Sequence, residues 1–103
     1  MAVAGQNGTS CAPALRSALV GVLQAQQAYS VAVDGRFKGG HITRHYGQPT
    51  QGVHAVQLEM TQCSYMQEAL PFDYLPEVAA RVQPHLQRML TAALAFATSA
   101  SKA

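Results

Sequence analysis

The feature that most constrains the fold is how few strands this sequence can form. Two runs combine β-branched or aromatic residues with bounding turn signals: 29–33 (YSVAV) and 53–60 (VHAVQLEM). A typical sheet has about four to six strands and must bury at least one face. The sequence therefore predicts an α/β segment with an incomplete sheet, the end of a larger domain.

Two helical patterns enclose this central region. Apolar residues recur at helical spacing over about 11–27, where Ser10 is the expected N-cap. A broader apolar stripe predicts a second helix over 75–99. Pro84 lies inside this second pattern and lacks a backbone N–H, so a kink or break is expected near residues 80–84.

The composition suggests a surface that is partly covered by something else. Apolar residues make up 49% of the 103 residues, and charged residues only 12%, below the usual value of about 25%. A missing partner domain, a subunit interface or self-association through an exposed apolar sheet would cover such a surface. The net charge of +2 is too small to indicate a nucleic-acid partner, and no apolar run approaches the length of a membrane span.

The termini and the cysteines give further expectations. Residues 1–9 are small and polar, without the pattern of a signal peptide, and are expected to be loose. Cys11 and Cys63 form no CxxC motif. They are interpreted as two reduced thiols of a cytoplasmic protein.

The polar chemistry gathers in residues 35–60. Glycines there allow backbone N–H groups to approach an anion, and Arg36, Lys38 and Arg44 could complete a carboxylate site. The phosphate-loop pattern is absent, so a nucleotide site is not predicted. A solvated hairpin carrying basic side chains is the alternative.

Glu59 is the outstanding candidate for acid–base chemistry. Side-chain alternation on a strand places it on one face with Gln57, and places Val56, Leu58 and Met60 on the other. Ligands of open α/β sheets bind outside the carboxyl ends of strands, where Glu59 lies, and a desolvated carboxylate there suits a general base. A carboxylate paired with arginine, or facing water, is the alternative.

The histidines do not predict a metal site within this chain. His41 and His45 are four residues apart, but the glycines before them and Pro49 after them favour an extended segment. A third ligand would have to be His54, on a separate strand, and no HExxH motif is present.

Long, unusual strings in this chain resemble one enzyme family. NGTSCAPAL, GRFKGGHITRHYG and HAVQLEM are similar to the carboxyl-terminal part of N-formylglutamate amidohydrolase, also called N-formylglutamate deformylase. The resemblance runs from about Gly8 to Leu94. It implies that residues 1–103 are the carboxyl-terminal segment of one such domain, part of a mixed-sheet, zinc-carboxypeptidase-like (phosphorylase/hydrolase-like) fold.

The resemblance also implies a reaction and a division of roles. The family hydrolyses N-formyl-L-glutamate to formate and L-glutamate in bacterial histidine breakdown. It uses zinc-activated water, and the zinc ligands are expected outside this chain. QLEM resembles the late strand that carries the general base, so Glu59 is the expected base. Arg44, then Arg36, are inferred from residue type to bind the substrate carboxylates, with Tyr46 as a hydrogen-bond donor.

Two functional hypotheses follow. The first is a hydrolase segment that supplies the general base and part of the substrate pocket, and that is inactive alone. The second is a non-catalytic module, derived from that enzyme, that binds a carboxylate or another small anion.

Overall fold

The computed structural model describes residues 1–101, and the side chains of residues 1–99. The strands are β1 (Ala2–Ala4), β2 (Ala32–Val33) and β3 (Gln57–Glu59), and the α-helices are α1 (Pro13–Gln24), α2 (His41–Tyr46) and α3 (Pro76–Ser101). Single turns of 3₁₀ helix occupy Gln6–Gly8, Pro49–Gln51 and Gln62–Ser64. No helix among residues 1–101 combines the length and the hydropathy needed to cross a membrane.

The three strands form one small mixed sheet in the order β2-β1-β3. β1 runs parallel to β2, with Ala2 opposite Ala32. It runs antiparallel to β3, with Ala2 opposite Glu59 and Ala4 opposite Gln57. The prediction of an α/β chain with a small sheet is confirmed.

The first residues are ordered, so the expectation that residues 1–9 are loose is wrong. Ala2–Ala4 is the central strand of the sheet, and Val3 and Ala4 are fully buried. The Met1 ammonium donates a hydrogen bond to the Ser30 carbonyl over 2.6 Å. A strand of three residues is too short to show alternation in the sequence. Its order comes from neighbours on both sides, which satisfy its backbone groups.

The core lies between β1, α1 and α3. Leu15, Leu19 and Leu23 form the buried face of α1 and pack with Val3, Cys11 and Met89. The helical spacing in the sequence correctly identified this face. Burial of each such side chain stabilises the fold by about 1.5–3 kcal/mol.

Both long helices differ from their sequence-based descriptions. Ala12, not Ser10, is the N-cap of α1. The Ser10 hydroxyl is buried and donates to the Ala55 carbonyl over 2.7 Å. The predicted break near Pro84 is absent, because α3 continues through it from Pro76 to Ser101. Pro84 is exposed, so its ring contacts solvent while the apolar side of the helix stays packed.

The second predicted strand is shorter than expected because its first residues make other hydrogen bonds in place of strand pairing. Of residues 53–60, only Gln57–Glu59 pair with β1. Val53 instead forms an isolated bridge with Gln48, and the Ala55 N–H donates to the Ser10 carbonyl over 2.9 Å. The segment is thus fixed between the loop after α2 and the start of α1.

Candidate functional site

The segment expected to be extended, His41–Tyr46, is helix α2. Gly39 allows the chain to enter this helix because its φ is +106°, a conformation that L side chains rarely adopt. The buried Thr43 hydroxyl accepts a hydrogen bond from the Gln6 side chain over 3.0 Å. Gly47 follows the helix, where a Cβ atom would lie 2.5 Å from the Ser10 carbonyl oxygen. Glycines at both ends therefore let neighbouring groups come close to the backbone, and the segment forms a short helix that no local sequence signal predicts.

Apart from the buried Thr43, the helix presents its polar side chains outward. His41, Arg44, His45 and Tyr46 are all exposed. The rings of His41 and His45 stack with centroids 5.0 Å apart, and Tyr46 meets the His45 ring edge-on at 4.7 Å. α2 thus offers a guanidinium, two imidazoles and a phenol on a short and well-anchored element.

Gln57 connects this helix to Glu59. Its side-chain oxygen accepts a hydrogen bond from the Gly40 N–H over 3.1 Å, at the start of α2. Its side-chain nitrogen donates to the Glu59 carboxylate. The prediction that Gln57 and Glu59 share one face of the strand is confirmed. Because both ends of the Gln57 amide are engaged, the carboxylate has a fixed direction relative to α2.

Glu59 borders an open cavity of about 380 Å³. The cavity is also lined by Arg36 and Phe37, by Met1 and Ala2 at the start of β1, and by Ala32 at the start of β2. The Glu59 side chain is half-buried, whereas Arg36 and Phe37 are exposed. A half-buried carboxylate that shares a cavity with an arginine can hold a polar ligand and exchange a proton with it.

Glu59 does not lie at the edge of the sheet where the sequence argument placed it. Because β3 is antiparallel to β1, its carboxyl end lies where β1 and β2 begin. The general rule for ligands at the carboxyl ends of parallel strands therefore does not place a site at Glu59. The cavity and the Gln57 hydrogen bond are instead what make Glu59 a candidate site residue.

The structure brings together only some of the predicted site residues. Glu59 and Arg36 line the same cavity, whereas Arg44 and Tyr46 are not among its lining residues. They are linked to Glu59 indirectly, because Gln57 bonds the residue that precedes α2. Arg36, and not the residue favoured from the sequence, thus shares a cavity with the candidate base.

An ion pair that the sequence reading missed anchors the neighbouring loops. Arg16 donates to Asp34 over 2.5 Å. The other Asp34 carboxylate oxygen accepts hydrogen bonds from the Gly5 and Asn7 N–H groups over 2.9 and 3.1 Å. Desolvation by itself would raise the pKa of Asp34, but these two amides and Arg16 outweigh it and lower that pKa. The Asp34-Gly35 pair is typical of a turn, but no local sequence pattern identifies the partners of the Asp34 carboxylate.

The remaining polar groups of the described side chains do not form a metal centre. Within the part of the chain whose side chains are described, no group of three or more His, Cys, Asp or Glu residues could hold a metal ion. His54 accepts a hydrogen bond at Nδ1 from the Ala12 N–H over 3.0 Å, and its ring packs edge-on against Phe96. Cys11 and Cys63 are both free thiols, as predicted. Burial raises the pKa of the Cys11 thiol.

Comparison with known proteins gives one consistent family. The family model described as N-formylglutamate amidohydrolase matches residues 1–66, so the first residues, which the sequence reading left out, are included. The N-formylglutamate deformylase of Pseudomonas aeruginosa is 52% identical over 89 residues, which are 86% of this chain and 34% of that protein. The Pseudomonas putida protein of the same name is 50% identical over 90 residues, 87% of this chain and 34% of that protein.

These matches show which family the chain is similar to and how much of a family member it covers. The chain spans about a third of the length of the curated relatives that it matches. No solved structure gives a significant match, so the expected zinc-carboxypeptidase-like architecture has no structural counterpart here. The family model covers well over half of the chain, and the resemblance first read from its motifs is confirmed: this chain belongs to the N-formylglutamate amidohydrolase family.

Proposed function

We propose that this chain is a segment of a hydrolase that removes formate from N-formyl-L-glutamate, a step of histidine breakdown in the cytoplasm. In this proposal it supplies the general base, Glu59, and one wall of the substrate pocket. The observation that carries the proposal is the arrangement around Glu59. Its carboxylate is half-buried, is held by Gln57 and shares a cavity with Arg36.

The proposed role of Glu59 is proton transfer. Its carboxylate accepts a proton from water as the water oxygen adds to the formyl carbon. The resulting tetrahedral species then collapses, and the bond between the formyl carbon and nitrogen breaks. The protonated Glu59 gives the proton to the departing amine, which leaves as L-glutamate together with formate. The Gln57 hydrogen bond supports this role because it keeps the carboxylate in one orientation.

The basic side chains fit the charge of the substrate. N-formylglutamate carries two carboxylates, and a guanidinium can bind a carboxylate through two parallel hydrogen bonds. Arg36 is the first candidate because it lines the cavity with Glu59. Arg44 and Tyr46 are exposed on α2 and would contact the other end of the substrate.

The proposal includes a bound zinc ion only in the complete enzyme, not in this chain alone. The described side chains do not by themselves fit a metal centre, since they include no cluster of three potential ligands. Zinc ligands would therefore come from outside this chain. The roles proposed for Glu59 and for the arginines concern contacts with substrate and water.

Glu59→Gln tests the proposal in a chimera in which this chain replaces the matching third of the Pseudomonas aeruginosa relative. Loss of a general base lowers kcat by about 10²- to 10⁴-fold. Glutamine keeps the size and a hydrogen-bond acceptor, so the circular dichroism spectrum and the melting temperature should stay unchanged. Glu68→Gln, in an exposed loop, is the matched control. Turnover by Glu59→Gln at the unmutated rate would remove Glu59 from the mechanism.

The alternative is a non-catalytic module that binds a carboxylate, and it is favoured by the exposed Arg36 and Arg44. Calorimetric titration of the isolated chain with glutamate and with N-formylglutamate distinguishes the two functions. Binding of either ligand without zinc and without formate release would favour the module. Binding only in the chimera would favour the enzyme segment.

A further inference from the structure

A long apolar groove lies between the segment that ends in β3 and helix α3. One wall is the face of alternate residues predicted from the sequence, Val56, Leu58 and Met60. Leu86, Leu90 and Ala93 of α3 form the other wall. This part has a volume of about 460 Å³. A second hollow of about 550 Å³ continues along α3 to Phe96. We call the two together the β3 groove.

Two leucines of α3, Leu90 in the lining of the β3 groove and Leu94 outside that lining, are unusually exposed for their type. Leu90 is 73% exposed, and Leu94, one turn further along α3, is 68% exposed. Among the described residues, those that line the groove include no carboxylate, ammonium or guanidinium group. A contiguous apolar surface of this kind marks a binding surface rather than a solvated one.

The groove lies beside an open sheet edge. In the order β2-β1-β3, one edge of β3 pairs with β1, and no strand of the described residues pairs with the other. An unpaired edge presents backbone N–H and C=O groups that a further strand can bond. A partner that adds a strand to β3 would therefore also bring side chains over Val56, Leu58 and Met60.

The length of the relatives indicates the occupant. The curated relatives extend over about three times the matched length, and the matched third alone forms a sheet of three strands. We propose that the β3 groove is the docking surface for the rest of the family domain, which adds a strand to β3 and buries apolar side chains against Leu90 and Leu94. This inference rests on family membership and on the open groove, and it is independent of the catalytic role of Glu59.

Thiol labelling tests the proposal without measuring activity. Leu90→Cys places a probe on the groove wall, in a Cys63→Ser background because Cys63 is exposed and Cys11 is buried. We expect a maleimide to label Leu90→Cys at least ten-fold more slowly in the chimera than in the free chain. Ala95→Cys is the matched control, because Ala95 is exposed on α3 and lies outside the groove lining. It should react equally fast in both proteins.

Two results would overturn the proposal. Equal labelling rates for Leu90→Cys in the chimera and in the free chain would show that the rest of the domain leaves the groove open. Protection of Leu90→Cys in the free chain that disappears on dilution would identify a second copy as the occupant. If the chimera does not fold, the same cysteine is placed at the aligned position of the intact Pseudomonas aeruginosa protein, and fast labelling there is equally contrary.

Discussion

Asp34 shows how one side chain can hold several segments at once. Its carboxylate is only 8% exposed, and it accepts bonds from Arg16 and from the backbone of Gly5 and Asn7. It thereby joins the end of β2 to α1 and to the turn that follows β1. Removal of one member of such a buried network leaves the others without partners, which costs more than the bond itself contributes.

Asp34 should make stability depend on pH. Its pKa is lowered in the folded state from the ordinary value of 3.8. The stabilisation is therefore fully present above that value and is lost as pH falls through the folded pKa. We expect Asp34→Ala to lose about 1–3 kcal/mol of unfolding free energy near neutral pH. Urea denaturation at a series of pH values measures this difference, which should shrink below about pH 4. A difference that stays constant with pH would contradict the assignment.

Kinetics can test the two candidate arginines one at a time. A charge-assisted hydrogen bond contributes about 1.5–3 kcal/mol, so loss of one that acts equally in the ground and transition states raises KM by about ten- to a hundred-fold. We expect this for Arg36→Ala in the chimera, because Arg36 lines the cavity with Glu59. Arg44→Ala should show the same effect if its guanidinium reaches the substrate. Arg81→Ala, on the exposed side of α3, is the control. An unchanged KM for Arg36→Ala would exclude it as a carboxylate ligand.

At the scale of elements, the sequence predicts the long helices better than the short pieces. The face of α1 repeats often enough for periodicity to identify Leu15, Leu19 and Leu23. β1 has three residues, and its burial depends on strand pairing with residues 30 to 57 positions away along the chain. α2 is likewise fixed by contacts with Gln6, Ser10 and Gln57, which no local pattern records. The candidate base was identified from sequence, but the cavity that pairs it with Arg36 depends on these distant contacts.

A matched pair of glycine substitutions tests how α2 is anchored. A Cβ atom at Gly39 would collide with the Thr43 hydroxyl oxygen, and the φ of +106° at this position is strained for alanine. We expect Gly39→Ala to destabilise the chain by about 1–3 kcal/mol. Gly21 lies within α1 and a Cβ there meets nothing within 4 Å. Gly21→Ala should therefore stabilise it by about 0.5–1 kcal/mol. Thermal unfolding followed by circular dichroism measures both, and equal effects would refute the proposed anchoring.

At the scale of the whole molecule, the chain has a packed core but leaves an apolar surface of α3 uncovered. Val3, Leu23 and Val82 are almost fully buried, yet Leu90 and Leu94, on the same helix as Val82, remain largely exposed. This exposed apolar surface is consistent with the low content of charged residues in the sequence. The candidate base and the β3 groove are carried by the same strand, since Leu58 faces the groove and Glu59 faces the cavity. Docking at the groove would therefore also fix the strand that carries Glu59, the proposed base.

This arrangement leads to the prediction that the chain is inactive by itself. It contains the candidate base and Arg36, but the described side chains form no metal centre and leave the cavity beside Glu59 open to solvent. Formate release from N-formylglutamate should stay at the uncatalysed rate for the isolated chain, with or without added zinc, and should appear in the chimera. The Glu59→Gln chimera controls for contaminating hydrolase. Turnover by the isolated chain that Glu59→Gln abolishes would contradict the prediction, because it would place a complete catalytic site within these 103 residues.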